Sequence, residues 1–141
     1  MANKEMKKQS PKIVFMGTPE FGALILEGLL KNNYRPELVV TSPDKPSGRK
    51  QVLTPPPVKV LAQQYEVPIL QPNRVENCKS KIEDLKPDLI VVAAYAKILP
   101  QDILDVPGRG ALCVHPSLLP KYRGPSPVQS AILKGEKETG V

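Results

Sequence analysis

The sequence is poor in cysteine and has no long apolar run. Cys78 and Cys113 are its only cysteines, and no CxxC or Cys/His spacing involves them. This excludes the common zinc-binding patterns and a disulfide framework, so we expect a reducing, cytoplasmic setting and no metal. No apolar run approaches the ~18 residues of a transmembrane helix, and the basic start is a poor secretory signal. We therefore expect a soluble protein with no membrane partner.

The sequence also has no repeat of fixed length. Its 17 prolines and nine glycines follow no regular spacing, which excludes a collagen-like chain. Hydrophobic residues make up 40% of the 141 positions and charged residues 24%, as in ordinary globular domains. The net charge of +6 permits a polyanionic partner without naming one. Residues 1–11 hold part of this charge, and we expect them to form a disordered leader to one domain, residues 12–141.

Short apolar segments rich in β-branched residues alternate with segments of helical period. This predicts an α/β fold with a doubly wound, mostly parallel sheet and helices on both faces. The expected strands are residues 12–17, 36–42, 68–72, 88–96 and 110–115. Residues 43–57 are rich in proline and glycine and predict an irregular loop. Ligands of such sheets bind beyond the carboxyl ends of the strands, which points to the loops after Met16, Ser42, Ala94 and His115.

The segment "GTPEFG" follows the first expected strand and invites a dinucleotide-binding interpretation. It has only two glycines, at the wrong spacing for GxGxxG, and no isolated acid follows the second strand to bind a ribose hydroxyl. We favour a glycine turn that lets the first helix pack closely on the sheet. Thr18 is the expected N-cap of that helix and Pro19 its first residue.

A basic cluster, Lys45, Arg49 and Lys50, lies in the expected loop of residues 43–57. Such a cluster is either solvated surface or a clamp on a phosphate backbone, where Arg supplies forked donors and Lys a point charge. The cluster by itself leaves both interpretations open.

His115 is the only histidine of the chain and ends the last expected strand. Pro116 follows and restricts His115 to extended conformations, which fixes how the ring is presented. A neutral imidazole in this place can take a proton from an attacking amine or donate to a developing oxyanion. The alternative is a loop histidine satisfied by its neighbours.

Four segments together resemble the amino-terminal catalytic domain of the folate-dependent formyltransferases: "VHPSLLPKYRGPSPVQ", "KIVFMGTPEFG", "SPDKPSGRKQVLTPPPVK" and "AAYAKILP". The resemblance extends from about Lys12 to Val141, and "HPSLLPKYRG" is its most specific part. "DKPSGR" with "PPPVK" points to the branch that acts on methionyl-tRNA rather than to the purine-precursor or sugar-nucleotide branches. The implied fold is a Rossmann-like formyltransferase domain.

The resemblance implies transfer of a formyl group from 10-formyltetrahydrofolate to the amino group of methionyl initiator tRNA, without a metal, in translation initiation. His115 would assist proton transfer and hold the oxyanion, and Cys113 stands where the family has a second donor, an Asn. The implied folate contacts are Ser117, Leu118, Leu119, Pro120, Tyr95, Ala96, Ile98 and Leu99. The implied tRNA contacts are Arg49, Lys45 and Lys50.

Two departures from the family pattern affect the expected activity. The thiol of Cys113 is a weaker donor than an amide. The family's orienting Asp lies further along than Val141, as do the rest of the catalytic domain and a smaller carboxy-terminal tRNA-binding domain. We expect an incomplete catalytic domain that is inactive alone, and a monomeric complete enzyme. The alternatives are a formyltransferase of this family acting on an amino-sugar nucleotide, and a non-catalytic folate-binding remnant.

Overall fold

A computed structural model describes residues 9–141. The strands in this part are Ile13–Gly17 (β1), Leu38–Val40 (β2), Lys45–Ser47 (β3), Val52–Thr54 (β4), Ile69–Leu70 (β5), Leu89–Ala93 (β6) and Ala111–Cys113 (β7). The α-helices are Glu20–Lys31 (α1), Pro57–Gln64 (α2), Lys79–Leu85 (α3), Gln101–Leu104 (α4) and Pro127–Leu133 (α5), with a 3-10 turn at Val75–Cys78 before α3. Residues 1–8 of the expected leader lie outside the described residues, so its disorder stays a prediction.

Five strands form one parallel sheet in the order β5-β2-β1-β6-β7. On the central strand β1, Val14 and Met16 lie in one core cluster, and Ile13 and Phe15 lie in another. Alternate residues of a strand point to opposite faces, so the two clusters cover both faces of the sheet. The predicted doubly wound α/β fold is confirmed. Burial on both faces also explains why β1 is apolar at every position instead of at every second one.

The glycines of "GTPEFG" allow a close approach between α1 and β6. A Cβ atom on Gly17 would lie 2.6 Å from the carbonyl oxygen of Ala93, and one on Gly22 would lie 2.8 Å from the same oxygen. Neither distance is compatible with a side chain unless the backbone moves. This geometry favours the packing interpretation of the segment over the dinucleotide-binding one.

Expectations for several element ends are wrong, among them the strand expected at 110–115, which ends at Cys113 and leaves His115 beyond it. Two others concern the sheet edge near the site. Thr18 does not cap α1, because Pro19 occupies the N-cap position and no side chain makes a capping hydrogen bond there. The Thr18 hydroxyl lies 3.1 Å from the hydroxyl of Ser42 instead. The strand expected at 88–96 stops at Ala93, since Ala94 has φ of 52° and turns the chain out of the sheet. Both differences arise where the carboxyl ends of β1, β2 and β6 meet their loops.

The prediction of an irregular loop at residues 43–57 is also wrong, because β3 and β4 pair there as an antiparallel hairpin. Gly48, with φ of 71°, and Gln51, with φ of 49°, turn the chain between the two strands. Proline has no N–H to donate to a central strand, but each strand of a two-stranded ribbon has a free edge. Pro46 in β3 is therefore tolerated. No helix within residues 9–141 is long and apolar enough to cross a membrane.

Candidate active site

His115 lies two residues beyond β7, at the carboxyl edge of the sheet, and is half-buried. Its Nδ1 is 2.9 Å from the Ser117 hydroxyl, and its Nε2 is 3.3 Å from the carbonyl oxygen of Gly124. The strand carries the histidine to the edge where loops of a parallel sheet gather, and Pro116 then turns the chain away. Both ring nitrogens thus have polar neighbours from the same segment.

Cys113 is the last residue of β7 and its side chain is exposed. Residues two apart on an extended chain point the same way, which places the Cys113 thiol on the side of the His115 ring. Both residues line a pocket of about 370 Å³. Its other lining residues are Val114, Ser117, Leu118, Leu119 and Val141. The structure therefore brings both predicted catalytic residues together with three of the predicted folate contacts.

The segment Ser117 to Pro120 divides into a buried and an exposed part. Ser117 is only 2% exposed, whereas Leu118, Leu119 and Pro120 are exposed and form an apolar rim. The rim is the kind of surface that an aromatic ligand covers. Folate binding by these four residues stays a prediction.

The loop after β6 carries the remaining predicted folate contacts, in different environments. Ala96 and Ile98 are exposed, Ile98 by 93%, while Leu99 packs against the core. Tyr95 lies in the core, where burial raises the pKa of its hydroxyl to about 12. That hydroxyl has no hydrogen-bond partner within the described part of the chain. A folate contact by the Tyr95 side chain would require this loop to move.

Lys97 has a role that the sequence gives no sign of. Its Nζ donates to the carbonyl oxygens of Pro72, at 2.7 Å, and Asn73, at 2.6 Å. These bonds tie the loop after β6 to the loop after β5. They join residues 24 and 25 positions apart, so no local pattern could predict them.

The basic cluster lies on the hairpin, with Lys45 in β3 and Arg49 and Lys50 in the turn, and all three side chains are exposed. In sheet order, β2 and β7 are three strand spacings apart, or about 14 Å at ~4.8 Å each. The cluster follows β2 and His115 follows β7. Both therefore belong to one edge of the sheet, but the cluster is not part of the His115 pocket.

An ion pair at the base of the hairpin joins it to α2. Lys59 Nζ in α2 is 2.8 Å from both carboxylate oxygens of Asp44, and Gln71 Nε2 donates to Asp44 Oδ1 at 2.7 Å and to Ser42 O at 2.9 Å. The hydrogen bonds from Gln71 and Lys59 lower the pKa of Asp44. This cluster, called the Asp44 anchor below, was missed by sequence reasoning because the residues that its hydrogen bonds join are 15 to 29 positions apart.

A second tie holds the chain after the apolar rim. Tyr122 donates its hydroxyl proton to Glu136 Oε1 at 2.6 Å, and Lys121 Nζ lies 3.3 Å from the same oxygen. The Tyr122 hydrogen bond, followed by Lys121, lowers the pKa of Glu136. This fixes the chain from Lys121 onward against the residues that follow α5. Among residues 9–141 no three His, Cys, Asp or Glu side chains are grouped as a metal would need.

The chain was compared with protein-family models and with known proteins. The family model described as formyl transferase matches residues 11–141. A methionyl-tRNA formyltransferase of Halalkalibacterium halodurans is 52% identical over 133 residues, and one of Enterococcus faecalis is 53% identical over 132. Each match covers 92% of this chain and 42% of the relative, so the chain spans about two fifths of those proteins.

Several solved structures have the same fold as this chain. Glycinamide ribonucleotide transformylase 1 from Symbiobacterium toebii is 18% identical and superposes with a TM-score of 0.72 over 99% of this chain and 67% of that one. Phosphoribosylglycinamide formyltransferase from Anaplasma phagocytophilum is also 18% identical, with a TM-score of 0.70 over 93% of this chain and 62% of that one. At this identity the likeness concerns the fold alone.

Proposed function

The chain belongs to the formyl transferase family, and from this membership we propose that it is the amino-terminal part of an enzyme that formylates methionyl initiator tRNA. The relatives that are about half identical to it and bear that name support the acceptor. The donor in this proposal is 10-formyltetrahydrofolate, a substrate rather than a resident cofactor. The complete enzyme acts as a monomer in the cytoplasm, and residues 12–141 are the first part of its catalytic domain.

The observation that carries the chemistry is the presence of His115 and Cys113 in one pocket at the carboxyl edge of the sheet. The amino nitrogen of the acceptor attacks the formyl carbon, and the bond from that carbon to the donor nitrogen breaks. His115 takes the proton that the amine loses and passes it to the donor nitrogen as that nitrogen leaves. The Cys113 thiol donates to the formyl oxygen while that oxygen carries negative charge. A positioned acid–base group contributes roughly 10² to 10⁴ in rate, and an oxyanion donor roughly 10² to 10³.

The hairpin supplies the tRNA contacts in this proposal. Lys45, Arg49 and Lys50 are exposed there, and the Asp44 anchor holds the hairpin at the same sheet edge as the pocket. In this proposal these cations bind the phosphate backbone of the acceptor end, while the esterified methionine reaches His115. Binding of this kind weakens as salt is raised.

The test is a formylation assay with the full reading frame that contains this segment. Methionyl-tRNA and an amino-sugar nucleotide are offered as acceptors, and His115→Ala is expected to lower turnover with the tRNA by roughly 10² to 10⁴. Arg49→Ala with Lys50→Ala is expected to raise KM for the tRNA at nearly constant kcat. Transfer only to the sugar would contradict the acceptor, and donor binding without any turnover would point to a folate-binding remnant.

A further inference from the structure

The Ser117 hydroxyl lies between the His115 ring and a backbone carbonyl. Its oxygen is 2.9 Å from His115 Nδ1 and 2.8 Å from the carbonyl oxygen of Lys121. Within residues 9–141, Ser117 is the one hydrogen-bond donor to that carbonyl. A hydroxyl has one proton, so it cannot donate to both neighbours at the same time.

Two proton arrangements exist for the neutral imidazole. In the first, His115 Nδ1–H donates to Ser117, Ser117 donates to Lys121, and Nε2 carries the lone pair. In the second, Ser117 donates to Nδ1, and Nε2–H donates to Gly124. The first uses the bonds of 2.9 and 2.8 Å, whereas the second replaces the shorter one by a contact of 3.3 Å. Each arrangement leaves one pair of acceptors facing each other, Nε2 and Gly124 O at 3.3 Å in the first and Ser117 Oγ and Lys121 O at 2.8 Å in the second. Because repulsion between two acceptors is stronger at the shorter distance, and 3.3 Å is beyond the usual range for N–H···O bonds, the first arrangement has the lower energy.

We propose that Ser117 is a positioning residue that holds neutral His115 in the Nδ1–H tautomer and leaves Nε2 as the proton acceptor. The use of that acceptor in catalysis rests on the proposed function. Nε2 takes the proton of the attacking amine as the bond between nitrogen and the formyl carbon forms. The imidazolium then has an acceptor for each proton, Ser117 Oγ for Nδ1–H and Gly124 O for Nε2–H.

The surrounding backbone keeps this arrangement in place. The Ser117 N–H donates to the carbonyl oxygen of His115 at 2.8 Å, which closes a tight turn around Pro116. Lys121, whose carbonyl accepts the Ser117 proton, is held by its own N–H bond to Leu118 O and by the tie to Glu136. Both ends of the chain His115–Ser117–Lys121 are therefore fixed independently of a ligand.

The test uses the 141-residue chain, whose only histidine gives one set of imidazole signals. Two-bond ¹H–¹⁵N correlation spectra of the neutral imidazole identify the nitrogen that carries the proton. We expect the Nδ1–H form to dominate. In Ser117→Ala the ratio should shift toward Nε2–H by roughly two- to tenfold, the factor that one hydrogen bond supplies.

Two further variants provide controls. Ser117→Thr keeps the hydroxyl and should keep the tautomer. Ser126→Ala removes an exposed serine that makes no cap bond to α5, and it should leave the ring signals unchanged. A dominant Nε2–H form in the unsubstituted chain, or an unchanged ratio in folded Ser117→Ala, would overturn the proposal. If Ser117→Ala fails to fold, the spectrum of the unsubstituted chain still decides.

Kinetics of the complete enzyme separate this role from a folate contact. A positioning role predicts that Ser117→Ala lowers kcat by roughly ten- to a hundredfold with KM for the donor unchanged. A direct contact predicts a higher KM for the donor instead, which would overturn the positioning role. The NMR readout needs neither donor nor acceptor, so failure of formyl transfer would reject the proposed function and leave the tautomer result standing.

Discussion

At the scale of single residues, environment decides what identical side chains do. Cys113 ends an edge strand and is exposed, whereas Cys78 is fully buried and its Sγ–H donates to Val75 O at 2.8 Å. Burial also raises the pKa of the Cys78 thiol, which lowers the fraction of reactive thiolate. The two cysteines therefore differ in chemistry although composition counts them together.

This difference predicts the reaction of the native chain with a colorimetric thiol reagent. We expect Cys113 to react quickly and Cys78 only when the chain unfolds. Cys113→Ser should abolish the fast phase and keep the slow one. Rapid reaction of both thiols in the folded chain would show that the structure around Cys78 opens readily.

The oxyanion donor provides a second prediction at this scale. In the complete enzyme, Cys113→Asn is expected to preserve or raise kcat with methionyl-tRNA, because an amide is a stronger hydrogen-bond donor than a thiol. The matched control, Cys113→Ala, should lower kcat by removing the thiol without a replacement. A severe loss in Cys113→Asn would show that this site is built around sulfur.

At the scale of elements, two glycines of α1 serve different purposes. Gly22 faces the sheet, where its Cβ would meet Ala93 O at 2.8 Å and Val58 Cγ2 at 3.1 Å, while Gly28 has nothing within 4 Å. Gly22→Ala should lower the free energy of unfolding by about 1–3 kcal/mol through overpacking. Gly28→Ala should raise it by about 0.5–1 kcal/mol through lower unfolded-state entropy. Urea unfolding of both variants checks the opposite signs.

The Asp44 anchor predicts how the hairpin behaves. Asp44→Asn removes the charge of the carboxylate, whose oxygens lie 2.7–2.8 Å from Lys59 Nζ and Gln71 Nε2. Residues 45–54 should then exchange amide protons faster and be cleaved more readily by proteases. The melting temperature should change little, since the hairpin lies outside the main sheet. Asp84→Asn, a change on the exposed side of α3, is the control and should leave the exchange of the hairpin unaltered.

Acid should loosen the same hairpin in the unsubstituted chain. The pKa of Asp44 is lower in the folded chain, so its contribution is complete above the usual Asp titration, about 3.9. That contribution is lost as the pH falls through the lower, folded pKa. Hairpin protection that stays constant through this acid range would contradict the role of the anchor.

At the scale of the whole molecule, β7 is an edge strand of the sheet. Its three residues are exposed, Leu112 by 60%, and no strand of the described residues pairs with its outer side. Such an edge offers unpaired N–H and C=O groups to another chain. We therefore expect the 141-residue chain to self-associate through β7.

Sedimentation at several concentrations measures this association. Leu112→Lys should shift the chain toward the monomer, because a charged edge strand resists pairing. Ile132→Lys places the same charge on α5, at a residue that is 72% exposed, and should have a smaller effect. If both variants reduced self-association equally, the association would depend on exposed apolar surface in general and not on the edge of β7.

The fold class and the position of the candidate pocket could both be predicted from local patterns in the sequence. Apolar strands such as residues 12–17 and segments of helical period are local patterns, and each expected strand was found within a few residues of its place. Because the order of strands and helices implies a parallel sheet, it also puts His115 at the carboxyl edge. The match of the formyl transferase family to residues 11–141 agrees with the motifs read along the chain.

Contacts between residues far apart in the chain could be seen only in the folded structure. The Asp44 anchor, the bonds from Lys97 to the Pro72 and Asn73 carbonyls, and the burial of Tyr95 all depend on contacts between segments far apart in the chain. The hairpin at residues 45–54 escaped sequence reasoning because Pro46 argues against a central strand, yet it is acceptable in a ribbon with free edges. The folate contact of Ser117 stays a prediction, whereas the hydrogen bonds of its hydroxyl to His115 and Lys121 were not predicted, since that geometry exists only in the folded loop.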